Sequence, residues 1–338
     1  ALNMTVMCQE LAAANSDYED IAIQCYTQFL GIANSIAGHS GELSLWDDRD
    51  EFFKDLVVTP DGKTQPIDVF SWVGLIPLFA TEVIDERLLK RTPRFRKVLE
   101  SYWQGRFDGH KVTHCPVQTN ARGEHLLSLL GPHRLKCVLK RVLTESEFLS
   151  RYGVRAVSRV HAERNDLGVL PGIGRAVIEY VPGESNSALF GGNSNWRGPI
   201  WMPTNYLLVQ AIEKFHRYYG DGFTVAAPCR GGERLSLKEI ATLISERLLD
   251  MFRRDDHGRV PALPENSPFQ YDPYWKDLLL FHEYFHGETG LGLGAMHQTG
   301  WTGLVANLVQ RRYRVDIPAF WRQQASVAPV EALHQAAA

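Results

Sequence analysis

A chain of 338 residues that is 44% hydrophobic and 22% charged has ample apolar material for a core and the composition of a folded protein, which excludes disorder. Its formal net charge of -3, with no dense run of Lys and Arg, offers nothing to neutralise a phosphate backbone, so nucleic acid is excluded as a partner. The longest apolar stretch, 73–80, contains Pro77 and falls far short of the roughly 20 residues that cross a bilayer, so no membrane span is expected.

The first residue is Ala1, and the opening segment has helical spacing, with Met4, Cys8, Leu11 and Ala12 on one face; the expectation is that the chain starts inside a helix, ahead of which a longer protein continues. No basic segment followed by an apolar one marks a secretory signal, so a cytoplasmic location is expected. Ser16 followed by Glu19 reads as a capping box, and Ile21, Cys25, Phe29, Ile32 and Ala33 repeat at helical spacing behind it. The two segments predict an antiparallel helical pair. Around Thr59-Pro60-Asp61-Gly62 the pattern changes to short alternating runs, which predicts a β-hairpin inserted between helices.

Helical spacing resumes with FSWVGLIPLFATEVI and predicts further helices over 93–104, 133–143, 203–219, 236–254, 276–286 and 299–313. The region 151–200, rich in Gly, Asn, Ser and Pro, reads as a long irregular connection that Trp196, Ile200 and Trp201 keep ordered. No linker interrupts the chain, so 1–338 reads as a single mainly α domain. Five cysteines, Cys8, Cys25, Cys115, Cys137 and Cys229, are scattered and never form C-x-x-C, which argues for buried thiols and against a disulfide framework or zinc ribbon.

The most conspicuous motif is His282-Glu283-Tyr284-Phe285-His286, which matches the H-E-x-x-H signature of helical zinc peptidases. Its surroundings fail the reading: Gly287 and Gly290 interrupt the helix, Gly292 stands where a third histidine belongs, and the next carboxylate after Glu288 is Asp316. No stoichiometric zinc and no cofactor are therefore expected. The glycines Gly290, Gly292 and Gly294 lack the strand-turn-helix context of a dinucleotide fingerprint and read as a loop allowing close backbone approach.

Sugars present C–H faces and hydroxyl edges, so their sites combine flat aromatic rings with a few amide or charged hydrogen-bonding groups. Asn195, Trp196, Arg197, Trp201, Gln298 and Trp301 are such a set, although each Trp has core packing as its bland alternative, and for Trp46 and Trp72 that alternative is preferred. The longer context LFHEYFHGETGLGLGAMHQTGWTGLVA resembles the C-terminal catalytic segment of glycoside hydrolase family 63. Three further blocks resemble that family in its own order: LWDDRDEFFKD at 45–55, the turn at 152–158, and GGNSNWRGPIWMPTNYLL at 191–208.

The resemblance implies a partial (α/α)6 barrel and a role for Glu283 as general base, beside the aromatic Tyr284. It implies an inverting hydrolase of α-linked gluco- or manno-oligosaccharides, and places Asn195, Trp196, Arg197, Trp201, Tyr284, Gln298 and Trp301 at the substrate. The family's general acid is an Asp ahead of the helix that matches Ala1 onward, so the expected partners are an oligosaccharide and the N-terminal remainder of the parent protein, and the isolated chain is expected to be inactive. The alternative from another class is a non-catalytic helical module binding carbohydrate or protein.

Overall fold

The computed structural model describes residues 1–38, 43–103, 119–170, 174–185 and 198–313. Helices dominate, and the strands are short and pair antiparallel in two-stranded sheets. α1 (Leu2–Leu11) and α2 (Asp17–Ala37) form the expected antiparallel pair. Of the residues read as their inner faces, Cys8, Phe29 and Ala33 are buried, joined by Leu2, Thr5 and Gln9 on α1 and Ala22, Tyr26 and Leu30 on α2, whereas Met4, Leu11, Ile21 and Ile32 are exposed.

The capping box at Ser16 is also corrected. Ser16 makes no side-chain cap bond, and Glu19 instead accepts the Arg94 and Phe95 backbone N–H groups at 2.5 and 2.9 Å, capping a different helix. A carboxylate at a helix start meets both the unpaired N–H groups and the positive end of the dipole.

Three short strand pairs follow. β1 (Trp46–Asp47) pairs with β2 (Phe52–Phe53), and β3 (Asp55–Val58) with β4 (Thr64–Ile67), which is the hairpin expected around Thr59-Pro60-Asp61-Gly62. The run FSWVGLIPLFATEVI is not one helix. After a 3-10 turn at Trp72–Leu75 and the single turn α3 (Ile76–Phe79), the fully buried Thr81–Ile84 becomes β5 and pairs with β6 (His125–Ser128). Pro77 limits the helix at its start, and Thr81, Val83 and Ile84 are β-branched residues that suit a buried strand. Between them run α4 (Glu86–Arg91) and α5 (Pro93–Trp103).

The second half is organised by long amphipathic helices at the expected places: α6 (Pro132–Val142), α7 (Met202–Tyr219), α8 (Leu237–Asp250) and α10 (Leu304–Tyr313), with the short α9 (Pro268–Tyr271) before the last. α8 starts with a capping box between Ser236 and Glu239. β7 (Leu149–Ser150), just ahead of the region read as irregular, pairs with β8 (Gly153–Val154) inside it, and β9 (Asp166–Leu170) pairs with β10 (Gly174–Val177) within it; β11 (Thr224–Ala227) pairs with β12 (Glu233–Ser236). The helix expected over 276–286 is absent: this stretch is extended, and β13 (Tyr284–Phe285) pairs with β14 (Gly292–Leu293). One buried cluster runs through these elements from Leu2 to Leu308 and includes Trp46 and Trp72, as expected for those two.

Candidate active site

Three chain segments that are far apart in sequence meet at β13. Ile200 bridges Phe285 on one side and Arg155 on the other, with reciprocal bonds of 2.8 and 2.9 Å between the Ile200 and Phe285 backbones. Asn205, buried in the first turn of α7, locks the junction: its Oδ1 accepts the Val154 N–H at 2.8 Å, and its Nδ2 donates to the carbonyls of Val154 and Trp201 at 2.9 Å. The blocks at 152–158, 198–201 and 281–301 therefore form one unit. The block at 45–55 joins a different one. Phe52 packs against Phe70 and Phe148, Asp47 accepts the Asp50 N–H, and the Trp46 indole donates to Asp48, so the aspartates of that turn serve the turn itself.

The extended course of 281–286 decides the zinc reading of H-E-x-x-H. At the rise of a strand, residues 282 and 286 are separated by up to about 13 Å, whereas a helix would bring them together. His282 is buried under Gly292, where a Cβ would fall 2.2 Å from the imidazole Cδ2. His286 accepts the N–H groups of Glu288 and Thr289 at Nδ1, both at 3.2 Å. Burial lowers the pKa of both histidines, and for His286 the Glu288 charge partly offsets it.

Glu283 lies over the far arm of the hairpin. Among the described residues its carboxylate meets the Ala295 N–H at 3.4 Å, and a Cβ on Gly294 would sit 2.7 Å from Glu283 Oε2 and 2.8 Å from Tyr284 Cε1. Both side chains thus rest on one glycine, whose φ of 68° suits a residue without a side chain. Tyr284 stacks on Trp201 with centroids 4.8 Å apart, and Trp301 meets Trp201 edge-on at 5.9 Å. Trp201 and Tyr284 are buried, Trp301 is half-buried, and the buried indole nitrogens of Trp201 and Trp301 have no partner among the described atoms. Gln298 is half-buried, and its backbone N–H donates to the Phe281 carbonyl at 2.8 Å. Asn195, Trp196 and Arg197 lie outside the described residues.

Glu288, five residues on, has a different setting. The buried Arg155 guanidinium approaches it at 3.1 Å, and the Tyr180 hydroxyl donates to the same carboxylate. Arg155 also donates to Tyr180 and to the carbonyls of Glu145, Glu147 and Leu149. Burial, reinforced by the Glu288 carboxylate, pushes the Tyr180 phenol far up, so it stays a proton donor. Glu184 closes the same side by accepting the Tyr284 hydroxyl at 2.7 Å. Neither Tyr180 nor Glu184 stood out in the sequence; both sit in the Gly- and Pro-rich stretch, where no periodicity marks a side chain that reaches a distant strand.

No family model matches the chain. It is 38% identical over 328 residues to the uncharacterized protein YMR196W of Saccharomyces cerevisiae, a match covering 91% of this chain and 30% of that protein. It is 25% identical over 181 residues to a probable mannosyl-oligosaccharide glucosidase of Schizosaccharomyces pombe, covering 53% of this chain and 16% of the relative. It is 30% identical over 123 residues to the mannosyl-oligosaccharide glucosidase of Saccharomyces cerevisiae, covering 36% and 12%. The chain thus spans less than a third of the curated relatives it matches. These similarities relate it to the glycoside hydrolases, in a relationship of the family 63 kind. A solved structure, the GH63 mannosylglycerate hydrolase of Thermus thermophilus with glucose, aligns over 90% of this chain and 46% of its own at a TM-score of 0.39 and 16% identity.

Proposed function

We propose that the protein containing this chain is an inverting glycoside hydrolase acting on α-linked gluco- or manno-oligosaccharides, with Glu283 as its general base. The observation that supports this reading is the setting of Glu283: a half-buried carboxylate over Gly294, next to an aromatic group of Tyr284, Trp201 and Trp301. A general base has to be ionised and free to take a proton from water, and an exposed edge beside a glycine leaves room for that water. In our reading the half-buried Trp301, backed by the buried Trp201 and Tyr284, offers the ring surface a sugar face stacks on, with Gln298, Asn195, Trp196 and Arg197 completing the substrate contacts.

Inversion needs a second carboxyl roughly 6.5–9.5 Å from the base, on the opposite side of the sugar, to protonate the leaving oxygen. In our reading that acid belongs to the remainder of the parent protein, which also completes an (α/α)6 barrel of which residues 1–338 form one part. Water is the only co-reactant and no cofactor takes part.

The test uses the whole protein and a panel of α-glucosides and α-mannosides, with the anomer of the first-formed sugar followed by NMR. Release of a β-anomer is expected. Release of the α-anomer, or binding with no hydrolysis, contradicts the proposal; the second outcome returns the chain to the class of carbohydrate-binding modules.

A further inference from the structure

The first turns of α6 meet the β1–β2 turn. His133 and Cys137 stand four residues apart on α6 and so share one face of it. Glu51, in the turn, is brought against them: the His133 Nε2 lies 3.8 Å from Glu51 Oε1 and 3.7 Å from Cys137 Sγ, and all three donor atoms lie within 4.8 Å of one another. Two contacts that do not involve these residues hold the turn in place. Arg141 donates from two nitrogens to the Asp50 carbonyl, and the Arg134 guanidinium lies 4.7 Å from the Trp46 ring centroid.

We propose that Glu51, His133 and Cys137 form a binding site for a single zinc ion, with a water in the fourth position, that clasps the β1–β2 turn to α6. Carboxylate, imidazole and thiolate are zinc's three common protein ligands, and bond lengths near 2.0–2.3 Å in a tetrahedron put neighbouring donor atoms about 3.4–3.6 Å apart. The two separations from His133 Nε2, 3.8 and 3.7 Å, need only a few tenths of an ångström of closure, and the remaining pair starts within 4.8 Å. The mixed oxygen, nitrogen and sulfur set disfavours the hard cations magnesium and calcium, which take oxygen ligands. His133 is exposed, which gives the ion a path from solution, while the Cys137 sulfur is sunk in the helix face.

Zinc binds the sulfur as a thiolate. The S–H bond breaks, the sulfur lone pair forms the Zn–S bond, and the proton leaves to solvent, so one proton is released per ion bound.

The whole protein should be titrated with cobalt(II) and then with zinc. One equivalent of cobalt is expected to give a near-ultraviolet thiolate-to-cobalt charge-transfer band, which zinc bleaches, and zinc should raise the melting temperature. Cys137→Ser should abolish the band, and His133→Ala and Glu51→Gln should each weaken binding tenfold or more. His286→Ala, which disables the H-E-x-x-H motif, should leave binding intact. His133 is exposed, so its variant reports on binding even where Cys137→Ser fails to fold. Absence of the band, its persistence in Cys137→Ser, or its loss in His286→Ala overturns the proposal.

Discussion

The two ends of one turn hold two glutamates with opposite fates. Glu288 is gripped by Arg155 and Tyr180, whereas Glu283, at the other end, rests on a glycine and meets a single long backbone contact among the described residues. The difference lies in what each carboxylate has been given to balance its charge. Glu288 neutralises an arginine that is 2% exposed and cannot be left unpaired in the interior. Glu283 forms no ion pair among the described residues. Two residues of the same type five positions apart therefore separate into a structural carboxylate and a candidate catalytic one.

The largest expected effect comes from breaking the gripped end. Arg155→Met should cost about 3–5 kcal/mol of stability, because it leaves Glu288 without its cation and takes a donor from the carbonyls of Glu145, Glu147 and Leu149. Urea unfolding should show this as a lowered midpoint; a change below about 1 kcal/mol would mean that the guanidinium holds nothing together.

A smaller effect separates the two glycines of β14 and its end. Gly292→Ala forces a methyl into the His282 ring and should destabilise by about 1–3 kcal/mol, the usual cost of overpacking a filled interior. Gly294→Ala meets the Glu283 carboxylate and a left-handed φ, so it should cost about 1–2 kcal/mol in folding and lower turnover more than Gly292→Ala does. Equal losses of turnover at equal stability would show that Gly294 has no special tie to Glu283.

The smallest effect is a pH dependence carried by the histidines that precede the two glutamates. His282 and His286 have lowered pKa values through burial, and His161 likewise, with its Nε2 accepting the Phe70 N–H at 2.9 Å. A histidine depressed in the folded state takes up its proton more readily when unfolded, so stability holds above the ordinary value of about 6.5 and declines as pH falls below it. Each histidine can add at most about 1.4 kcal/mol per pH unit to that slope. His286→Asn should flatten the decline between pH 7.5 and 5.5 in chemical denaturation; an unchanged slope would remove His286 from the account.

The long helices were legible in the sequence because their apolar periodicity runs for three turns or more, as in α7 and α8. The Glu283 segment was legible as a glycine-bounded motif, but its secondary structure was not: FHEYFH spaces apolar and polar residues in a way both a helix and a strand can use. The choice is made by Ile200, 85 positions upstream, which supplies the strand-like bridge to Phe285. The same long reach hid Tyr180 and Glu184. On α1 and α2 the exposed Met4, Leu11, Ile21 and Ile32 were taken for inner residues, because apolar spacing alone did not separate them from Leu2, Tyr26 and Leu30, which are buried with Thr5, Gln9 and Ala22. The metal ligands were unreadable as a set, since Glu51 lies 82 positions before His133.

The most direct measurement compares Glu283→Gln with Glu288→Gln in the whole protein, by initial rates on a hydrolysed α-glycoside and by thermal melting of each variant. We expect a loss of about a hundred- to ten-thousand-fold in turnover for Glu283→Gln at nearly unchanged melting temperature, and for Glu288→Gln a lowered melting temperature with a smaller loss of rate. Near-normal turnover in Glu283→Gln alongside a collapse in Glu288→Gln would contradict this.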